Sequence, residues 1–176
     1  TPTRTVTHTP SATRTVTFTG SSCKGDVRLT EGPMMTVDPV TLGDKAQMSL
    51  LYRDAYKYAD PNGNSVVVRL DLGDRRILLA GDAEGGERLP PSTPPQAKSI
   101  EAKLIACCRA ALAADLLVVG HHGSLTSSRS AFLDAVGAKN FVISSGPHPY
   151  QSVVLPDADV VKMLKTRGAL YETDLD

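Results

Sequence analysis

From residue 65 onward, apolar positions along the chain follow two alternating rhythms. Short unbroken or β-branched apolar runs predict strands: Ser65 to Leu70, Arg76 to Ala80, Leu116 to Val119, Asn140 to Ser144 and Leu170 to Thr173. Between them lie segments whose apolar residues recur at helical spacing. Ser99 is placed to cap a helix running to Ala113, with Ile100, Leu104, Ile105, Cys108, Ala111 and Leu112 along one side. Ser127 or Ser128 starts a second helix carrying Phe132, Leu133 and Val136, stopped by Gly137. Pro156 and Asp157 open a third, bearing Val160, Val161 and Leu164 and ended by Gly168. Leu72-Gly73-Asp74 turns the first strand into the second as a hairpin. The excursion from Gly85 to Gln96, with Pro90, Pro91, Pro94 and Pro95, is too poor in backbone donors for a helix or an inner strand and reads as a surface loop. Upstream, Asp26 to Val40 is broken by Gly32, Pro33 and Pro39 and predicts one or two strands with turns. The sequence of strands and helices indicates a layered α/β architecture.

Residues 1–22 do not share these rhythms. Nine of the first nineteen residues are threonine, and no acidic residue precedes Asp26. Such a tract buries too little apolar surface to offset its ordering entropy, and its Thr/Pro bias is typical of a stalk or linker. The rival reading is a strand over Thr13 to Thr19 with Val16 and Phe18 on one face; His8 within the tract is read as solvated. The expected organisation is therefore a tether at 1–22 and one domain at 23–176, which the 176 residues and 41% hydrophobic content allow. Thr1 is no natural start and the last residues read as a strand end, so a fragment of a longer protein is expected. The tether hints at export or association with the cell envelope.

Nineteen acidic residues balance nineteen basic ones, so no global field recruits nucleic acid. No stretch approaches the roughly 20 apolar residues of a membrane span. Cys23, Cys107 and Cys108 form no C-x-x-C pair and no even framework, which argues against a structural zinc site and a disulfide scaffold; Cys107 and Cys108 are expected as small residues on a core-facing helix.

Candidate chemistry gathers at two strand ends. Gly81-Asp82-Ala83-Glu84 closes one apolar run and Gly120-His121-His122-Gly123-Ser124 closes another. Side chains just past the carboxyl ends of parallel strands converge on one crevice, and glycines let the backbone turn there. Asp82 and His121 are thus expected to meet, and carboxylate with imidazole suits zinc, manganese or iron. Adjacent histidines on extended backbone point opposite ways, so one faces the metal and the other packs or hydrogen-bonds elsewhere. Glu84 is placed to orient a ligand. Ser124, Thr126 and Ser127 offer hydroxyls and N–H groups to a phosphate near a helix start, or serve only as caps and turns. Ser124 lacks the G-x-S-x-G elbow of a serine hydrolase.

Asn64-Ser65-Val66-Val67, Leu79-Ala80-Gly81-Asp82-Ala83-Glu84, the run from Ala114 to Ser124, Thr126-Ser127-Ser128 and Val142-Ile143-Ser144-Ser145-Gly146 together resemble the metallo-β-lactamase-fold superfamily. Within it they are most similar to the C-terminal domain of DNA-internalisation competence proteins and their free-standing relatives. The resemblance runs from about Asn62 to Asp176. It implies an αββα sandwich of which this chain supplies the C-terminal half, the N-terminal half with its H-x-H-x-D-H signature being absent and acting as a partner of the same fold. It implies one or two zinc ions, or manganese, held by Asp82, with His121 as the late histidine ligand and His122 as its alternative or a supporting group. Where many relatives carry His-Pro this chain has Leu155-Pro156, and leucine cannot bind a metal, which implies either a smaller site or His148 of the preceding loop placed nearby; the ordinary reading of His148 is a solvated loop histidine.

The function implied is a metal-dependent hydrolase with a metal-activated water, acting on an ester or phosphodiester, DNA included. On two ligands alone the isolated chain is expected to bind metal weakly and turn over little. The alternative is a tethered, non-catalytic binding or scaffold module that has lost the metal site.

Overall fold

The computed structural model describes residues 33–34, 39–54, 58–146, 149–150 and 152–173. The tract 1–22 with His8, the possible strand at 13–19, Cys23 and His148 lie outside the described residues. Eight strands form one sheet: β1 (Pro33–Met34), β2 (Val40–Gly43), β3 (Ala46–Asp54), β4 (Val67–Leu72), β5 (Arg75–Leu79), β6 (Leu116–Val118), β7 (Asn140–Ile143) and β8 (Ala169–Glu172). The order is β1-β3-β4-β5-β6-β7-β8, with β2 also paired to β3. Pairing is antiparallel from β1 through β5 and parallel from β5 through β8. Three helices, α1 (Ile100–Cys108), α2 (Ser130–Val136) and α3 (Ala158–Arg167), supply the crossovers between the parallel strands.

The register separates the two faces of the sheet. Ser49, Arg69, Leu78, Leu117, Phe141 and Leu170 are paired in turn across six strands and point to one side. On that side Tyr52, Val67, Leu78, Leu117, Phe141 and Ile143 are buried in one core with Leu104 and Leu112, Phe132 of α2 and Leu164 of α3. Removing each such large side chain from water contributes about 1.5–3 kcal/mol. Arg69 crosses this face, its Nη1 donating to the Ala111 carbonyl at 2.9 Å and its Nε to Asp71 at 3.0 Å, so the guanidinium is satisfied under the helices. On the opposite face Met48, Leu50, Val68, Leu70, Ile77, Leu79, Val118 and Val142 are only half-buried. The described residues thus make one sheet with its helices against one face, half of the four layers expected.

The hairpin β4–β5 and the strands β6, β7 and β8 fall where the apolar runs place them. The longest strand, β3, lies in a segment from which no element was expected. A bulge between Leu50 and Tyr52 shifts its phase, so Met48 and Leu50 face one side and Tyr52 the other, and the simple alternation is lost. Ser99 caps α1 as expected, its Oγ accepting from Ala102 N–H at 3.2 Å, but the α-helix ends at Cys108 and continues only as a 3-10 turn over Arg109–Leu112. Neither Ser127 nor Ser128 caps α2. Ser127 Oγ instead donates to the Gly120 carbonyl at 2.6 Å, Ser128 has a left-handed φ of 57°, and Arg129 occupies the cap position without a side-chain bond. Cys108 is disulfide-bonded, which corrects the expectation that the cysteines form no disulfide; its partner lies outside the described residues. Among the described residues no helix is long and apolar enough to cross a membrane.

Candidate functional site

The parallel strands β5, β6 and β7 deliver three loops to one edge of the sheet. After β5 the chain turns at Gly81, whose φ is +55° and where a Cβ would stand 3.0 Å from the Val66 carbonyl oxygen. The Gly81 carbonyl then accepts from His121 N–H at 2.9 Å, tying the loop after β5 to the loop after β6. Loop 85–91 and the start of α2 are joined below by two buried ionisable side chains. Glu101 accepts from the backbone N–H groups of Ser128 and of Arg129, the latter at 3.2 Å, while Arg129 Nη1 donates to the carbonyls of Leu89 at 2.5 Å and Pro90 at 3.0 Å and its Nη2 to that of Glu87. Burial pushes the Glu101 carboxyl up to about 8, against the lowering pull of those N–H groups and the Arg129 charge.

These loops wall a cleft of about 580 Å³ lined by Asp60, Asn62, Asp82, Glu84, Arg88, His121, His122, Ser124, Thr126 and Tyr150 among others. The two histidines do not lie on extended backbone. Both are left-handed, at φ 48° for His121 and 55° for His122, a conformation that costs an ordinary L-residue roughly 1–3 kcal/mol and is held only by its surroundings. Their rings, 6.2 Å apart between centroids, serve different partners. His121 Nδ1 lies 2.8 Å from Thr126 Oγ1 and 3.0 Å from Glu84 Oε1, and its Nε2 is 3.4 Å from the Asn62 amide. His122 Nδ1 lies 2.6 Å from the Ser144 carbonyl, so it carries the proton, and its Nε2 faces Asp82 Oδ1 at 3.7 Å.

Asp82 and His121 line the same cleft, and the Asp82 charge acts on His121, but the near contacts are divided differently. His121 pairs with Glu84, and His122 stands beside Asp82. Electrostatics follow the same division. The hydrogen bond to Glu84 raises the His121 pKa above its ordinary value despite burial, and Glu84, pushed up by burial, is brought below its ordinary value by the bonds to His121 and Thr126. Asp82 and His122 are the more exposed pair, with side chains 43% and 51% accessible.

Ser124 and Ser127 are buried and engaged with neighbouring loop atoms, and α2 begins only at Ser130. Ser124 Oγ receives Arg88 Nη1 at 3.1 Å and Thr126 Oγ1 at 3.1 Å. Leu155 lines the cleft. Asn62, Arg88, Glu101 and Arg129 were not singled out by the sequence. Asn62 alone carried a signal: Asp60 and Pro61 start a 3-10 turn in which Asp60 Oδ1 accepts from Asn62 N–H at 2.9 Å, and this directs Asn62 to the cleft.

The cleft brings one carboxylate and one imidazole, of Asp82 and His122, within reach of each other. A histidine whose Nδ1–H is held by a carbonyl and whose free nitrogen faces a carboxylate has the tautomer a metal needs. No group of three or more His, Cys, Asp or Glu side chains able to hold a metal ion occurs among the described residues.

A family model described as the metallo-beta-lactamase superfamily matches residues 5–148. Competence protein ComA of Neisseria gonorrhoeae is 33% identical over 135 residues, covering 72% of this chain and 18% of that protein. ComE operon protein 3 of Bacillus subtilis (strain 168) is 28% identical over 144 residues, covering 75% of this chain and 17% of that protein. The chain thus spans less than a fifth of the curated relatives it matches. Among solved structures, a mutant CmlA beta-hydroxylase aligns at a TM-score of 0.47 and 14% identity, over 78% of this chain and 31% of that one.

Proposed function

The chain belongs to the metallo-β-lactamase superfamily, and from that premise we propose that it forms part of a metal-dependent hydrolase acting on an ester or phosphodiester, DNA among the latter. The observation that carries this reading is the pairing of His122 with Asp82. The imidazole is locked through Nδ1 by Ser144, and its Nε2 lone pair and the Asp82 carboxylate open together on the cleft. In this reading Asp82 and His122 hold a zinc or manganese ion, and His121, fixed by Glu84 and Thr126, borders it. Such an ion lowers the pKa of a bound water and polarises the scissile group.

Two protein donors are fewer than the three that hydrolytic zinc centres use, so the remaining ligands come from residues outside those described, and the chain by itself binds metal weakly. The partner half of the αββα sandwich is the natural source in this proposal.

The test is zinc and manganese uptake by the chain and by its Asp82→Ala, His122→Ala and His121→Ala variants, followed by equilibrium dialysis and elemental analysis. Uptake abolished by the first two changes and merely weakened by the third supports the assignment, and hydrolysis of bis(4-nitrophenyl) phosphate is then assayed in the metal-loaded protein. A folded chain that takes up neither ion at millimolar concentration overturns the hydrolase reading and leaves a binding or scaffold module.

A further inference from the structure

We infer that Arg88 reads the charge of the substrate, making the cleft selective for a phosphodiester monoanion over neutral esters and amides. The inference rests on the hydrolase reading above and narrows it to one substrate class.

Among the described residues three carboxylates, of Asp60, Asp82 and Glu84, line the cleft, and Arg88 is the sole lysine or arginine that does. An anion entering such a cleft is repelled unless a fixed cation meets it. Arg88 is built to be that cation. Its Nη2 donates to Asp157 Oδ1 at 2.6 Å and its Nη1 to Ser124 Oγ at 3.1 Å, which fixes the plane of the guanidinium. A guanidinium carries five N–H groups. The others find no protein partner among the described residues, and the side chain is 38% accessible. The planar fork matches two oxygens of a phosphate, which a lysine ammonium does not.

A purely structural role, tying loop 85–91 to the start of α3, accounts for the Asp157 contact but not for a cation opening onto the cleft. Asp157 is itself committed elsewhere, because its Oδ2 accepts from Leu125 N–H at 2.8 Å. Its negative charge at 2.6 Å weakens the field that Arg88 presents to a ligand. Arg88 is also in register with the remaining chemistry. Ser124 Oγ accepts from Thr126 Oγ1 at 3.1 Å, and Thr126 Oγ1 lies 2.8 Å from His121 Nδ1, so a continuous hydrogen-bonded path runs from the guanidinium to His121.

The experiment is binding of bis(4-nitrophenyl) phosphate to the metal-free chain by isothermal titration calorimetry, with inorganic phosphate as the dianionic comparison. Arg88→Gln is expected to weaken diester binding about tenfold or more, the scale of one lost charge-assisted contact, and Arg88→Lys to lose part of it. Asp157→Asn keeps an oxygen for Leu125 N–H but frees the Arg88 charge, and is expected to tighten binding several-fold. Circular dichroism and thermal unfolding establish that each variant is folded. In metal-loaded protein, the ratio of diester to 4-nitrophenyl acetate turnover should fall about tenfold in Arg88→Gln. Diester binding unaffected by Arg88→Gln, or weakened alike by Asp157→Asn, overturns the inference. Loss of binding in Arg88→Gln from a chain that takes up no metal leaves the anion site standing and removes the hydrolase; normal metal uptake with no effect of Arg88 does the reverse.

Discussion

Arg129 donates its backbone N–H to Glu101 Oε2 at 3.2 Å, and both residues are 1% exposed. Through this contact the first turn of α1 and the segment that precedes α2 become one piece. The approach is close enough that a Cβ on Gly85 would lie 2.5 Å from both Glu101 Oε2 and Arg129 Cγ. Removing the Glu101 carboxyl leaves the buried N–H groups of Ser128 and Arg129 without an acceptor, and removing the Arg129 guanidinium leaves the carbonyls of Glu87, Leu89 and Pro90 without their donor. Glu101→Ala and Arg129→Met each leave buried hydrogen-bonding groups without partners and are each expected to cost about 1–3 kcal/mol or more, which urea unfolding measures. Glu101→Gln retains an acceptor and should cost clearly less.

The same carboxyl predicts a slope of stability with pH. With its folded pKa raised to about 8 from an ordinary 4.5, Glu101 holds its proton in the folded state after the unfolded chain has lost it. Folding then binds protons between those two values, and stability declines as pH rises through that window. Glu101→Gln removes the group, so its unfolding free energy should vary less between pH 5 and 8 than that of the parent; parallel profiles would contradict the assignment.

His121 and Glu84 contribute with opposite signs of pH dependence. The raised His121 pKa gives stability that is complete below the ordinary 6.5 and lost as pH rises through its folded value. The lowered Glu84 pKa gives stability present above 4.5 and lost as pH falls through its folded value. The pair is therefore strongest between 4.5 and 6.5. Proton NMR titration of the metal-free chain should show the His121 pKa falling toward its ordinary value in Glu84→Gln, and no movement there would exclude the ion pair as its cause.

Two glycines in left-handed conformation should respond differently to alanine. Gly123, at φ +78°, would press a Cβ to 2.7 Å from Pro156 Cβ, whereas Gly137, at φ +68°, has open space around it. Gly137→Ala pays only the backbone term of about 1 kcal/mol, while Gly123→Ala adds overpacking of roughly 1–3 kcal/mol. Thermal unfolding of the two variants separates them, and equal losses would mean that the loop yields to the new methyl group.

The parallel half of the sheet was legible because each of its strands is covered by helices on one side and carries an unbroken apolar run, as at Leu116 to Val119. The site loops were legible for a related reason: Gly81 and Gly120 close such runs, and chemistry-bearing residues follow at once. What failed was anything set by a change of phase or by distant packing. The bulge in β3 hides its alternation, and the left-handed turn at His121 and His122 redistributes partners that an extended backbone would have assigned otherwise. Glu101 and Arg129 look like ordinary surface charges in sequence, since nothing local marks a charged residue that meets its counterpart 28 positions away.

The cleft is made where β5, β6 and β7 end side by side, and its residues Glu84, His122 and Ser145 come from loops far apart along the chain. Two crossover connections must close before all three are neighbours, so this corner belongs to the slow, non-local part of folding. A chain still emerging from synthesis therefore offers isolated histidines and carboxylates but no assembled pocket, and whatever chemistry the pocket performs is withheld until the third parallel strand is in place.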